Sequence, residues 1–447
     1  MVFRTALRRI ATFWRVTILT ALVTTGGARA AVSEQDAAKL GTTLTPVGAE
    51  RAGNADGTIP AWRGVPETIG AEQPAVIITA ASANTYASRL PEGALALFRA
   101  FPDYHMRIFP THRTAIAPDW VYRNIRLNAT RAHAADAGIA YGVAGAAGGI
   151  PFPIPQDGAA IVWNHLLAFW GTAREAHVST FVASGDGSIQ QSAGYHEITD
   201  FPYYYPTVTP ETAGPYYFKT RRLQDAPAAR AGEAYIAWQP IDVARNKYVA
   251  WRYLPGEHRV RKAPSLSYDT PDADASGFES LDDYYLFFGG PDRYTWRTLG
   301  KRELYVPYNN TALNTAPPRD AMGPRHANQD KIRYELHRVW VVEGTLAPGA
   351  HHVAPRRRLY MDEDTWLVTY SEAWDDTGKL WKFGHGTMIS RADIPATITG
   401  AQFVYDLLQG GYCMDFTIGG DTNFYHPTAP HPPDTFDASA LAAQSFR

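Results

Sequence analysis

The chain has 447 residues, with 42 Lys and Arg against 44 Asp and Glu, a formal net charge of −2. That balance leaves no electrostatic footprint for nucleic acid, and no basic amphipathic helix is present for an anionic membrane surface. Aromatic residues make up 13% and charged residues only 19%, a mixture that suits sheets with broad apolar faces or a protein holding a greasy or sugar ligand.

In chain order, the first element is an export signal. Arg4, Arg8, Arg9 and Arg15 precede the apolar run Val16–Val23, and Ala28-Arg29-Ala30 supplies A-x-A spacing for cleavage after Ala30. The run is far shorter than the ~20 residues that span a bilayer. No cysteine stands at the cleavage site, which disfavours a lipid anchor. The expected location is the periplasm of a bacterium, which removes ATP-driven and most nicotinamide chemistry.

The remainder, 31–447, reads as a single large domain, helix- and loop-rich over 31–175 and strand-rich over 176–425. Ser33 caps a short helix to Leu40, with Asp36 at the reciprocal position. Turns follow at 52–62 (AGNADGTIPAW). Pro91–Phe101 has Leu95, Phe98 and Phe101 near helical spacing. Residues 139–155 are loop by composition. Gln156–Phe169 is the best helix, capped by Asp157, with Ile161, Val162, His165, Leu166 and Phe169 as one apolar stripe. His165 on that stripe reads as a packed core histidine.

Strands dominate from about Ala176. His177–Ser184 and Ser188–Gly194 flank a GDG turn and form a hairpin. Further strands are expected at 216–223, 233–239, 247–254, 258–262, 302–306 and 331–343, then at 359–361 and 365–374 around a DED turn, with another turn at DDTG. Over 366–374, Trp366, Val368, Tyr370, Glu372 and Trp374 alternate with smaller residues. Successive hairpins without long intervening helices predict an α+β fold, a large, strongly curved antiparallel sheet with helices packed on its concave face. Residues 423–447 read as irregular.

No G-x-S-x-G, H-E-x-x-H, P-loop or C-x-x-C occurs. Cys413, the single cysteine, cannot form an internal disulfide and reads as buried filler. His351 and His352 are adjacent, so a strand sends their rings to opposite faces and they make a weak metal pair. DED and DDTG are explained as turns. Asp272, Asp274, Ser276 and Asp283 match positions 1, 3, 5 and 12 of a calcium loop, but no helix precedes them, and an Asp/Ser/Gly turn is the competing reading. No other cofactor is expected. Trp251, Tyr253, Trp340, Trp366, Tyr370 and Trp374 are the candidate ligand-lining residues, chosen from strand alternation, which leaves open which face points inward. Core packing is the competing reading for each.

Several strings together carry a resemblance: AGNADGTIPAW (52–62), PFPIPQDGAAIVWNHLL (151–167), PDRYTW (291–296), YVPYN (305–309), YELHRVWVVEGTL (334–346), LYMDEDTW (359–366) and MDFTIGGD (414–421). The chain resembles the bacterial exported family of domain of unknown function (DUF) 1329, itself similar to the outer-membrane lipoprotein-sorting (LolA/LolB-like) carriers. The resemblance spans nearly the whole mature chain. It implies a half-open antiparallel barrel whose helices close a hydrophobic cavity. It also implies a non-catalytic carrier or transporter accessory for a lipid, sterol-like or acyl compound, with an efflux-type transporter or outer-membrane protein as partner. Two alternatives stay open: a structural adaptor without ligand, and a periplasmic glycan or ester hydrolase. An outer-membrane barrel is disfavoured by the helix near 157–169, the long loops and the charged strand at 331–343.

Overall fold

The computed structural model describes residues 31–65, 67, 69–263, 268–417 and 425–444. The expected export signal, with its cleavage after Ala30, lies outside the described residues. The helices are α1 (Glu34–Ala37), α2 (Glu92–Ala100), α3 (Asp119–Arg131), α4 (Gly158–Leu166), α5 (Thr311–Asn314), α6 (Pro318–Ala321) and α7 (Ala438–Gln444). The first strands are β1 (Val76–Thr79) and β2 (His105–Ile108), then the small ladder β3 (His133–Ala134) and β4 (Val143–Ala144). Next come β5 (Ala173–Ala183), β6 (Ile189–Asp200), β7 (Tyr216–Ala226), β8 (Ala234–Pro240), β9 (Val249–Leu254) and β10 (Arg259–Lys262). The second half supplies β11 (Tyr294–Pro307), β12 (Tyr334–Leu346), β13 (Arg356–Asp362), β14 (Val368–Trp374), β15 (Leu380–Arg391), β16 (Ala396–Asp406), β17 (Tyr412–Thr417) and β18 (Tyr425–Pro427).

Sixteen strands join in one sheet. Its spine is two antiparallel meanders, β5 to β10 and β11 to β17, welded where β17 pairs with β5. β18 adds to β5, and the β1–β2 hairpin attaches through one parallel pair, Ile108 with Tyr334. Among the described residues no ladder joins β10 to β11, so the sheet is a half-open barrel rather than a closed one. Bulges in the β5–β6, β6–β7, β14–β15 and β15–β16 ladders add the local bending that so wide a sheet needs.

Helix α4 fills the concave side against β11 and β12. Asp157 caps it by accepting a hydrogen bond from the Ala160 N–H at 2.9 Å. All nine of its residues are buried, so the expected single stripe is corrected to a helix enclosed on every side. Its polar groups are satisfied internally: Asn164 exchanges bonds with the Phe152 N–H and C=O at 2.9 and 2.7 Å, and Trp163 donates to the Ile139 carbonyl at 2.7 Å. His165 donates from Nε2 to the Phe287 carbonyl and accepts at Nδ1 from the Val368 N–H, and burial pushes its pKa down to about 4. It is a neutral core histidine that pins one tautomer. The glycine-rich stretch 139–155 is largely buried, and Asn128 on α3 holds it by donating toward the carbonyls of Ala147, Gly149 and Ile150.

Other expectations are corrected. The Ser33-capped helix stops at Ala37. Helix α3 is an addition to the expected elements: its sequence, DWVYRNIRLNATR, is polar, and Val121, Ile125, Asn128 and Ala129 are its buried positions. Strand β11 is far longer than 302–306, and β16 and β17 were not anticipated. The stretch from 425 is not irregular but carries β18 and α7. Strand β14 starts at Val368, because Trp366 sits in the preceding turn at φ +63°. The pairing then slips between Tyr360–Tyr370 and Met361–Val368, which interrupts the alternation read over 366–374.

Candidate functional site

Strand alternation sends Phe218, Thr220, Arg222 and Gln224 of β7 to the same face as Tyr235, Ala237 and Gln239 of β8. Over this face lies the segment 270–288, and between them is a cavity of about 300 Å³. Leu281, Tyr284, Tyr285 and Phe288 form its roof. Tyr285 and Leu286 carry positive φ of 52° and 66°, a conformation that costs bulky residues roughly 1–3 kcal/mol each. The bend is fastened by the Leu286 N–H donating to Gln402 Oε1 at 3.2 Å, while Gln402 Nε2 donates to Glu279 at 2.7 Å. Phe288 packs edge-on to Phe218 and Tyr285, giving the inner end an aromatic wall.

The opposite wall is polar and internally neutralised. Arg222 donates to Glu197 at 2.8 Å and to the Tyr284 hydroxyl at 3.1 Å, and its guanidinium lies over the rings of Tyr195 and Tyr284. Tyr284 in turn donates to Asp272 Oδ2 at 2.6 Å. Burial opposes ionisation of Glu197, yet the adjacent Arg222 and Arg174 hold its pKa below the usual carboxylate value. Asp272 goes the other way: burial, then the charge of Asp274, pushes it up to about 6. At the rim, Arg230 bridges Asp274 at 2.5 Å and Glu233 at 3.3 Å, and Arg252 meets Glu233 at 2.8 Å. The hydroxyls of Tyr235 and Tyr248 touch beside them. The three lining arginines, 222, 230 and 252, face the three lining carboxylates, Glu233, Asp272 and Asp274. The chemistry on offer is an apolar pocket with hydroxyl, amide and ion-paired groups on one side, suited to a neutral polar head.

The six ring residues read from alternation do not gather here. Trp251 and Tyr253 of β9 face the other side of the sheet, packed with Ile236 and Leu441 of α7. Trp366 stacks on Trp340 at 6.4 Å and donates to the Val47 carbonyl at 2.9 Å. Tyr370 donates to the Tyr305 carbonyl at 2.7 Å and stacks on Phe383. Trp374 lies under Arg356 and Arg358. Of the cavity residues, Tyr235, Tyr284, Tyr285 and Phe288 carry the same aromatic signal but sit outside the long alternating run over 366–374.

The calcium-type set is also divided. Asp272 accepts from Tyr284 and the Asp274 N–H, and Asp274 accepts from Arg230. Asp283 lies on a different network, with Arg357 at 2.9 Å and Lys382 at 3.3 Å. Ser276 stands in the intervening turn at φ +51°. Among the described residues, two other groups bring three ligand atoms within 4.8 Å of one another: His177, His196 and Asp225, and His337, Asp362 and Asp364. The DED turn is confirmed as a turn, but its three acids are buried, and Glu363 and Asp364 are ion-paired. Lys301 and Arg338 meet Glu363 at 2.7 and 3.3 Å, and Arg113 clasps Asp364 at 2.6 Å. Cys413 is buried as expected, and His352 is paired with Asp282 at 3.0 Å.

A family model described as "Protein of unknown function (DUF1329)" matches residues 77–442. An uncharacterized protein of Pseudomonas aeruginosa, PA3922, is 35% identical over 432 residues, covering 90% of this chain and 93% of its own length. Among solved structures, a DUF1329 family protein from Desulfovibrio piger is 14% identical, with a TM-score of 0.42, covering 61% of this chain and 92% of that one. A LolA superfamily protein from Nitrosomonas europaea is 11% identical, with a TM-score of 0.38, covering 63% and 97%. Among the described residues, no helix is long and apolar enough to cross a membrane.

Proposed function

The chain belongs to the DUF1329 family, and we propose that it is an exported, periplasmic binding protein that carries a hydrophobic or neutral amphipathic ligand without transforming it. The observation that carries this reading is the cavity of about 300 Å³ between β7–β8 and the 270–288 roof. That volume is at the small end of known ligand pockets, enough for a compact sterol-like or acyl compound, or for one end of a larger lipid. Burial of apolar ligand surface against Phe218, Ala237, Leu281 and Phe288 supplies roughly 25 cal/mol per Å², reduced by ordering costs. Hydroxyl or carbonyl groups of the ligand meet Thr220, Gln224 and Gln239. The paired arginines leave no free charge to select an anion. Release requires the roof to lift or a partner to compete, and the partner in this reading is an efflux-type transporter or an outer-membrane protein. The N-terminal signal pattern supports the periplasmic location.

The test is to purify the mature protein without detergent, extract it with organic solvent and run mass spectrometry on the extract. A stoichiometric lipid, sterol-like or acyl compound is expected. Folded protein with an empty extract that also fails to bind a fluorescent fatty acid overturns the reading.

A further inference from the structure

On the outer face of the same sheet, opposite the cavity, three exposed side chains converge from three adjacent strands. His177 of β5 and His196 of β6 are direct cross-strand partners, with ring centroids 4.7 Å apart. Asp225 of β7 completes the group: its Oδ2 lies 2.8 Å from His177 Nε2 and 3.4 Å from His196 Nε2. A tetrahedral ion with bonds of about 2.0–2.1 Å holds its ligand atoms about 3.3 Å apart. The two measured distances bracket that edge.

Two features of the backbone make the convergence. The β6–β7 ladder slips between Gly194–Ala226 and Tyr195–Gln224, so Asp225 is the extra residue of a bulge and its side chain is re-aimed toward the histidine pair. Gly194, across from it, leaves the space that the carboxylate uses: a Cβ there would come within 2.7 Å of Asp225 Oδ1. All three ligands remain open to water, with side-chain exposures of 45%, 67% and 40%.

The geometry points to a divalent transition-metal site of the Zn²⁺ class, held by His177 Nε2, His196 Nε2 and Asp225, with a fourth position open to solvent. Two imidazoles and one carboxylate favour Zn²⁺ or Cu²⁺ over Ca²⁺ or Mg²⁺, which take oxygen ligands. Occupancy would cross-link the three adjacent strands β5, β6 and β7.

The experiment uses the tag-free mature protein, freed of metal with a chelator and titrated with ZnCl2 by calorimetry. Binding with Co²⁺ is followed by its visible absorption, which reports tetrahedral ligation. One saturable site is expected, weakened at least about tenfold by His177→Ala, His196→Ala or Asp225→Asn and unchanged by His133→Ala, an exposed imidazole elsewhere. Because the three positions are exposed, circular dichroism is expected to show unchanged folding in each variant. Absence of one-to-one binding, or a site that survives all three substitutions, overturns the assignment.

Discussion

Arg113 and Asp364 meet through two parallel hydrogen bonds, Nε to Oδ2 at 2.7 Å and Nη2 to Oδ1 at 2.6 Å, with both side chains only 2% exposed. This fork ties the segment before α3 to the turn between β13 and β14. Removing one partner leaves the other charge buried without compensation, which costs about 3–5 kcal/mol. Arg113→Ala is therefore expected to lower the urea midpoint sharply, while Arg113→Met with Asp364→Leu together recover part of the loss. Equal loss in the single and double variants would show that the pair is not the source.

Asp362 makes stability depend on pH in a defined direction. Burial, then the charge of Asp364, pushes its pKa up to about 7 in the folded chain. His337 stands 3.7 Å from its Oδ1, and Thr365 and Tyr308 donate to Oδ2. An unfolded Asp titrates near 3.9, so the folded state binds this proton more tightly. The group's contribution to stability thus falls as pH rises from about 4 to about 7, and the penalty is complete above that. Asp362→Asn is expected to flatten the change in unfolding free energy between about pH 4 and pH 7, measured by urea titration. Parallel curves for the two proteins would contradict it.

Ala237 lies on the cavity floor, 4% exposed, between its register partners Thr220 and Ala250. Ala237→Phe projects a ring into the space the ligand is proposed to use. Binding of a fluorescent fatty acid is expected to fall more than about tenfold, with an overpacking cost of roughly 1–3 kcal/mol. Unchanged affinity in a folded variant would place the ligand elsewhere.

Trp366 and Tyr370 are each 1% exposed and spend their polar groups on backbone carbonyls. Truncating either to Ala is expected to cost about 3–5 kcal/mol, read as a fall in thermal midpoint. A variant that keeps its midpoint yet loses ligand would return these rings to the binding surface.

Much of the fold could be read along the chain. The GDG hairpin, the strands that became β7 to β10 and the Asp157 cap of α4 all carry local signals, because turn chemistry and side-chain alternation act over a few residues. Strand β16 and the described residues 412–415 of β17 are buried almost without a break and show no alternation, as expected for strands covered on both faces, so neither carries a period-two signal. Helix α3 escaped because Asn128 serves as a core residue, holding a loop that is close only in the fold.

For the sites, residue type was legible and position was not. The aromatic excess, the near-zero charge and the absence of common catalytic motifs among the 447 residues were determined by sequence alone. Tertiary structure decided that Trp251 and Tyr253 lie beneath α7 while Tyr235 and Arg252, their neighbours by one register step across β8 and β9, face the cavity. It also decided that His177, His196 and Asp225 meet on the reverse side. The physical reason is the period of two along a strand: alternation divides residues into two faces, but only the packing of distant segments, 270–288 on one side and 438–444 on the other, determines what each face meets.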